Sequence, residues 1–129
     1  MIQKTDRFLA VLYTRPPMPN VCIVARASGQ IESTEVDNWP DFEFIRSAVG
    51  GMFTQVPTTF RMEFDDSLGS EAGEQATVVY CSERAALMGL PQNPTGFAAT
   101  INRDIGDHAP LLGDLLIVSG DDAFMATQD

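Results

Sequence analysis

The chain has 129 residues, 44% of them hydrophobic, and a formal net charge of −10 from 18 acidic and 8 basic residues. This length can bury one core but is short for two ordinary domains, so a single domain over residues 1–129 is expected. Eight dispersed cations argue against direct nucleic-acid binding, and no apolar run reaches the ~18 to 20 residues of a membrane span. The start lacks the pattern of a signal peptide, and we therefore predict a cytoplasmic protein.

A proline-rich segment lies at 16–19. It is expected to be an extended linker or a sheet edge, because proline disfavours both helix and central strand. The following segments, 21–27 and 30–36, are rich in β-branched residues and flank the turn dipeptide Ser28-Gly29. This pattern predicts a β-hairpin.

One main helix is predicted at about 40–49. Asp37 and Asn38 offer capping side chains before it, and Gly50 can adopt the left-handed conformation that ends a helix. Apolar residues recur at helical spacing along it: Trp39, Phe42, Ile45 and Val49. This stripe predicts that the helix packs on one face of a sheet.

The second half of the chain alternates between extended and turn-forming segments. Strands are expected at 52–64 and 76–81, on either side of a polar loop at 65–75. Further on we expect a turn at 89–94, a second short helix near 95–101, a last strand reaching 118 and a polar tail at 121–129. These elements predict an α+β domain with a mixed or mainly antiparallel sheet.

Three motifs occur in order along the chain. They are Val-Gly-Gly at 49–51, Gly-Leu-Pro-Gln-Asn-Pro at 89–94 and Gly-Asp-Leu-Leu-Ile-Val at 113–118. From 21 to 120 the chain resembles a family of short proteins of unassigned function from bacteriophages, prophages and actinobacteria. The resemblance implies a phage or prophage accessory protein, and it brings no catalytic residues with it. It also implies that residues 1–20 are an N-terminal extension, because members of the family usually begin close to the strand at 21.

Ligand-binding candidates lie near the middle motif. Tyr80, Glu83 and Asn93 could meet at the end of a strand, where an aromatic face, a carboxylate and an amide would suit a small polar ligand. For Asn93 the preferred interpretation is that it fixes its turn through hydrogen bonds from side chain to backbone, and ligand contact is the alternative. The single histidine, His108, is interpreted as an exposed loop residue. No metal or cofactor is expected, because there is no Cys-x-x-Cys or Cys-His spacing and the two cysteines are read as buried thiols.

The acidic residues are concentrated in the middle of the chain. A solvated surface that keeps the protein soluble is one interpretation, and a surface that attracts a basic partner, up to imitation of a nucleic-acid backbone, is the other. The candidates for partner binding are Glu32, Glu35, Asp37, Asp41, Glu43, Asp65 and Asp66.

Three functions follow from this sequence, in order of preference. The first is non-enzymatic binding of a host protein, which could be basic, through the acidic surface. The alternative is a protein that binds or sequesters a small molecule or nucleotide. An enzyme ranks third, because no nucleophile and base pair can be placed. The sequence does not indicate an oligomeric state.

Overall fold

A computed structural model describes residues 20–58, 60–64, 73–105 and 110–128. Six strands form one antiparallel sheet with three short helices, so the predicted single α+β domain is confirmed. The elements are β1 (Val21–Ala25), β2 (Ile31–Glu35), α1 (Phe42–Val49), β3 (Phe53–Gln55), β4 (Arg61–Phe64), β5 (Gly73–Ser82), α2 (Gly96–Ile105), β6 (Leu115–Ser119) and α3 (Asp122–Met125). No helix among these residues is long and apolar enough to cross a membrane.

The sheet has the order β2-β1-β6-β5-β3, and β4 lies beside the first half of β5. β1 and β2 form the predicted hairpin, with Ala25 opposite Ile31 next to the turn. The last strand, β6, inserts between β1 and β5, where Ile117 is opposite both Ile23 and Val79. Every residue of β1 and β6 is buried, whereas every residue of β2 is exposed. The core therefore lies around β1, β6 and β5.

Helices cover both faces of the sheet. On one face, called here the α2 face, Ala98 and Ile101 of α2 pack on a layer that includes Ile117. On the opposite face, the α1 face, Ile45 of α1 and Phe124 of α3 share a second apolar layer. The expectation that the main helix covers one face is met by α1, and the predicted second helix takes the other face.

The ends of α1 follow from local chemistry. Asp41, rather than the expected Asp37 or Asn38, is the N-cap, and its side chain accepts a hydrogen bond of 2.8 Å from the backbone N–H of Phe44. Gly50 ends the helix in the left-handed conformation, with φ 85°, and its N–H bonds the carbonyl of Arg46. A side chain at this position would strain the backbone, so the glycine prediction is confirmed.

Two segments have more regular structure than the sequence suggested. β5 begins at Gly73, so residues 73–75 belong to the strand rather than to the polar loop, and residues 65–72 lie outside the described ranges. The predicted polar tail contains α3, which Asp121 caps by accepting from the N–H of Phe124 at 2.9 Å. Phe124 is buried in the apolar layer of the α1 face, and this tertiary packing stabilises a helix that is too short to be stable alone.

Candidate binding groove

A groove of about 530 Å³ opens on the α1 face, where the start of α1, the edge strand β3 and the C-terminal part of β5 meet. This volume falls within the roughly 300 to 1,000 Å³ of typical ligand sites. Four aromatic side chains line it: Trp39, Phe42, Phe53 and Tyr80. We call it the aromatic groove.

The rings of the aromatic groove support one another. The ring centre of Phe53 lies 5.3 Å from that of Phe42 and 5.3 Å from that of Tyr80, and the Phe53–Tyr80 pair meets edge to face at 81°. On the other side, Trp39 lies 5.3 Å from Phe124. These separations are within the favourable range for aromatic pairs. The ring contacts therefore hold the walls in place before any ligand arrives.

Phe42 occupies an unusual place on the apolar stripe of α1. Ile45 and Val49 are 5% and 3% exposed beneath the helix, but Phe42 is 52% exposed. The stripe was expected to pack on the sheet along its whole length. Its first turn instead lies over the groove beside the ring of Phe53, so part of Phe42 stays accessible to a ligand.

The polar part of the groove is supplied by β3 and the C-terminal residues. Gln128 donates from Nε2 to Oε1 of Gln55 at 3.2 Å and to the hydroxyl of Tyr80 at 3.3 Å. The side-chain carbonyl oxygen of Gln128 has no hydrogen-bond partner among the described residues. Thr54 is opposite Cys81, so its side chain lies on the α2 face and adds no hydroxyl to the groove. The groove therefore offers several hydrogen-bond acceptors next to its aromatic walls.

Asp41 gives the aromatic groove its charge. One carboxylate oxygen caps α1, and the other is available because the residue is exposed and has no ion pair within the described part of the chain. None of the ten described residues that line the groove is lysine, arginine or histidine. The N–H groups at the start of a helix can bind a phosphate when they are free. Here the carboxylate of Asp41 caps the start of α1 and would repel a phosphate. The site is therefore suited to a cation.

The acidic residues named from the sequence differ in how they are used. Glu32 pairs with Arg26 at 3.2 Å, and Glu43 lies 3.6 Å from Arg46. The hydrogen bond to Glu32, together with a second one to an aspartate, raises the pKa of Arg26. Asp65 and Asp66 lie outside the described residues.

Glu35 and Asp37 are exposed and, in the ranges that the structure describes, have no ion pair. They lie within four residues of Trp39 along the chain. Glu35 lies on β2, at the edge of the sheet opposite β3, whereas Asp37 directly precedes the groove segment that begins at Trp39. Together with Asp41, these residues leave three carboxylates available to a partner in the segment 35–41.

The three ligand-binding candidates occupy different environments. Tyr80 lines the groove and is 6% exposed. Glu83 is exposed in the turn after β5, where its N–H bonds the carbonyl of Met52. Asn93 is 7% exposed and bonds the end of β1 at Ala25. No hydrogen bond joins these three side chains in the described structure, and Tyr80 alone of them lines the groove.

The side chain of Asn93 connects three segments of backbone. Nδ2 donates to the carbonyls of Ala25 and Gly113, both at 2.8 Å, and Oδ1 accepts from the backbone N–H of Thr95 at 3.0 Å and from its hydroxyl at 2.6 Å. Thr95 in turn accepts from the N–H of Ala98 in the first turn of α2. Both donors of the amide and its carbonyl oxygen are thus engaged within the protein, which favours the turn-fixing interpretation of Asn93.

The two cysteines are free thiols away from the groove. Burial raises the pKa of Cys22 to about 11 and also raises the pKa of Cys81. Both groups are therefore held in the neutral form, which is a poor nucleophile. Across the described ranges, no three His, Cys, Asp or Glu side chains are arranged to hold a metal ion. His108 lies outside those ranges.

We expect Cys22 to resist alkylation in the folded protein. At pH 8 its thiolate is a very small fraction of the thiol, and the side chain is 1% exposed. Iodoacetamide should modify Cys22 far more slowly in buffer than in concentrated urea, as measured by mass spectrometry of peptides. Equal rates in the two solvents would contradict the described burial.

Comparison with family models, with curated proteins and with solved structures gives no match.

Sequence reasoning missed most of the groove because its walls come from distant segments. Trp39 and Phe42 precede or begin α1, Phe53 lies on β3, and Gln128 follows α3. One signal was available: the apolar stripe begins before the helix, and its two large aromatic residues, Trp39 and Phe42, lie on either side of the capping Asp41.

Proposed function

We propose that the protein acts by binding a basic partner protein through the aromatic groove and the carboxylates around it. The observation that carries this proposal is the composition of the groove, whose described residues include four aromatic side chains, one carboxylate and no basic group. Aromatic residues are enriched in the central parts of protein interfaces, and negative charge at the rim favours association with a positive surface.

The surroundings of the groove support the same choice. Glu35 and Asp37 are exposed a few residues before Trp39 in the chain, and the whole chain carries a net charge of −10. A long-range negative field of this kind accelerates encounter with a basic protein. The same field would repel a nucleotide. The alternative function, binding of a small molecule, is therefore favoured for cationic ligands over anionic ones.

The sequence motifs suggest the biological setting for this proposal. If the resemblance to phage and prophage accessory proteins is correct, the partner is a protein of the bacterial host and the encounter takes place in its cytoplasm. An enzyme remains the third choice, because the proposal does not require a chemical step.

Reversing one charge near the groove is expected to weaken capture of the partner. Asp37→Lys should lower affinity about five- to tenfold, since a carboxylate that attracts the partner becomes an ammonium that repels it. Asp37 is chosen because Asp41 and Glu43 also stabilise the start of α1. The measurement is quantitative recovery of the captured protein from lysate of a bacterial host at low and at raised salt.

Glu83→Lys is the matched control. It makes the same change in net charge at an exposed turn and should leave recovery within about twofold of the unaltered protein. The proposal would be rejected if Asp37→Lys retained its captured protein as well as Glu83→Lys did, or if capture did not depend on salt.

A further inference from the structure

We infer that the aromatic groove holds the guanidinium group of an arginine side chain presented by the partner. This inference rests on the proposed function and specifies its ligand chemistry. It begins from Phe42, which is 52% exposed, and from the ring contacts that join it to Phe53 and Phe53 to Tyr80. A flat cation stacks on such rings through attraction to their negative faces.

The polar groups of the groove match the donors of a guanidinium. Arginine has five N–H donors in a fixed plane and no acceptor. The groove offers the free carboxylate oxygen of Asp41 and the side-chain carbonyl oxygens of Gln128 and Gln55, all of which can accept. A guanidinium could therefore lie on the rings while its edge bonds the carboxylate.

Arginine fits this set of groups better than lysine does. An ammonium is a compact and strongly hydrated charge, and it would have to lose its water against the aromatic wall. The guanidinium is weakly hydrated and keeps its hydrogen bonds at its edge while its face is covered. Arginine is also enriched among the residues that dominate binding at protein interfaces.

The volume and charge of the groove agree with a side chain that arrives on a peptide. About 530 Å³ leaves room for the arginine and part of its neighbouring backbone. Charge complementarity selects a cationic side chain as the occupant, because Asp41 lines the groove. The exposed carboxylates of Glu35 and Asp37 precede Asp41 in the chain. Further basic residues in the partner would lie against these outer carboxylates.

The chain carries its own probe for this site. Trp39 lines the groove and is the only tryptophan of the protein, so its fluorescence reports on occupancy. We would titrate the full chain with three blocked pentapeptides that have lysine at all four outer positions and differ in the central residue. The centre is arginine, lysine or citrulline, which is the uncharged isostere of arginine.

The arginine peptide should change Trp39 fluorescence saturably and bind about five- to tenfold more tightly than either of the other two. The lysine peptide has the same net charge, so this difference isolates the guanidinium from general attraction to the acidic surface. Equal binding of all three peptides would overturn the inference and leave the proposed function standing. Absence of binding by all three would overturn both.

Two variants assign the effect to the groove. Phe42→Leu keeps an apolar side chain but removes the ring, and it should reduce the preference for arginine about fivefold. Phe44→Leu makes the same change at another exposed phenylalanine of α1 that does not line the groove, and it should keep the preference.

Asp41→Asn removes the charge of the groove and preserves an N-cap of equal quality, so α1 should remain intact. It should weaken binding of the arginine peptide about fivefold while the thermal midpoint stays unchanged. If Asp41→Asn and Phe42→Leu both bind the arginine peptide as the unaltered chain does, the guanidinium does not occupy this groove and the inference is wrong.

Discussion

Asn93→Asp is expected to destabilise the protein by roughly 3 to 5 kcal/mol. The amide of Asn93 donates to two backbone carbonyls, those of Ala25 and Gly113, both at 2.8 Å. An ionised carboxylate has no proton to donate, so one of its oxygens would face these two carbonyls inside a site that is 7% exposed. Urea unfolding followed by Trp39 fluorescence would measure the loss.

The penalty should depend on pH in a defined direction. Burial and the two facing carbonyls would raise the pKa of the introduced carboxyl in the folded state above the ~3.9 of an unfolded chain. Between the unfolded and the folded pKa, the folded state of the variant binds more protons than its unfolded state. The free energy of unfolding therefore falls as pH rises from about 4 through the folded pKa. The loss of unfolding free energy relative to the unaltered chain should therefore be larger at pH 7 than at about pH 4.

Gln92→Glu is the matched control for Asn93→Asp. It also turns an amide into a carboxyl, one residue earlier, but Gln92 is exposed. Its effect should stay within about 0.5 kcal/mol. If the two variants lost the same stability, Asn93 would not be the connection between the end of β1, the segment before β6 and the start of α2 that its four hydrogen bonds indicate.

The elements that the sequence predicted well are those whose signals are local. The hairpin of β1 and β2 depends on β-branched residues around Ser28-Gly29, and the end of α1 depends on a single glycine at position 50. In both cases the relevant contacts join residues close in the chain. Propensity and turn chemistry therefore carry most of the information.

The position of β6 required information that no local signal contains. Its pairing with β1 joins residues almost 100 positions apart, for example Val21 with Ser119. The apolar run at 115–118 indicated a buried strand but not its neighbours. A strand apolar on both faces does imply cover on both faces, and this was a usable sign of the second helical layer.

The groove was harder to predict than the fold for the same reason. Tyr80 was selected from the sequence, but its neighbours in the groove come from α1, β3 and the C-terminal residues. Phe124 lies in the segment that the sequence predicts to be a polar tail, because most of its neighbours are polar. The segment's average composition hides one buried aromatic residue that follows a capping aspartate. Only the packing brings Phe124 against Trp39.

Ile117→Ala is expected to cost roughly 2 to 5 kcal/mol of stability and to leave the binding groove unchanged. Ile117 is fully buried on β6, between Ile23 and Val79, and belongs to the core layer that includes Ile101 of α2. Alanine would leave a cavity there that its neighbours cannot fill by relaxation. The groove lies on the opposite face, so affinity for the arginine peptide should persist while the urea midpoint falls.

The control is Ile31→Ala, the same substitution on β2, where the side chain is 49% exposed. It should change stability by less than about 1 kcal/mol, since little apolar surface returns to water and only strand propensity is affected. The comparison separates the two faces of the sheet. If Ile117→Ala lowered peptide affinity in conditions where it remains folded, the α2 face would be coupled to the groove through β6. That result would contradict the expectation that the two apolar layers act independently.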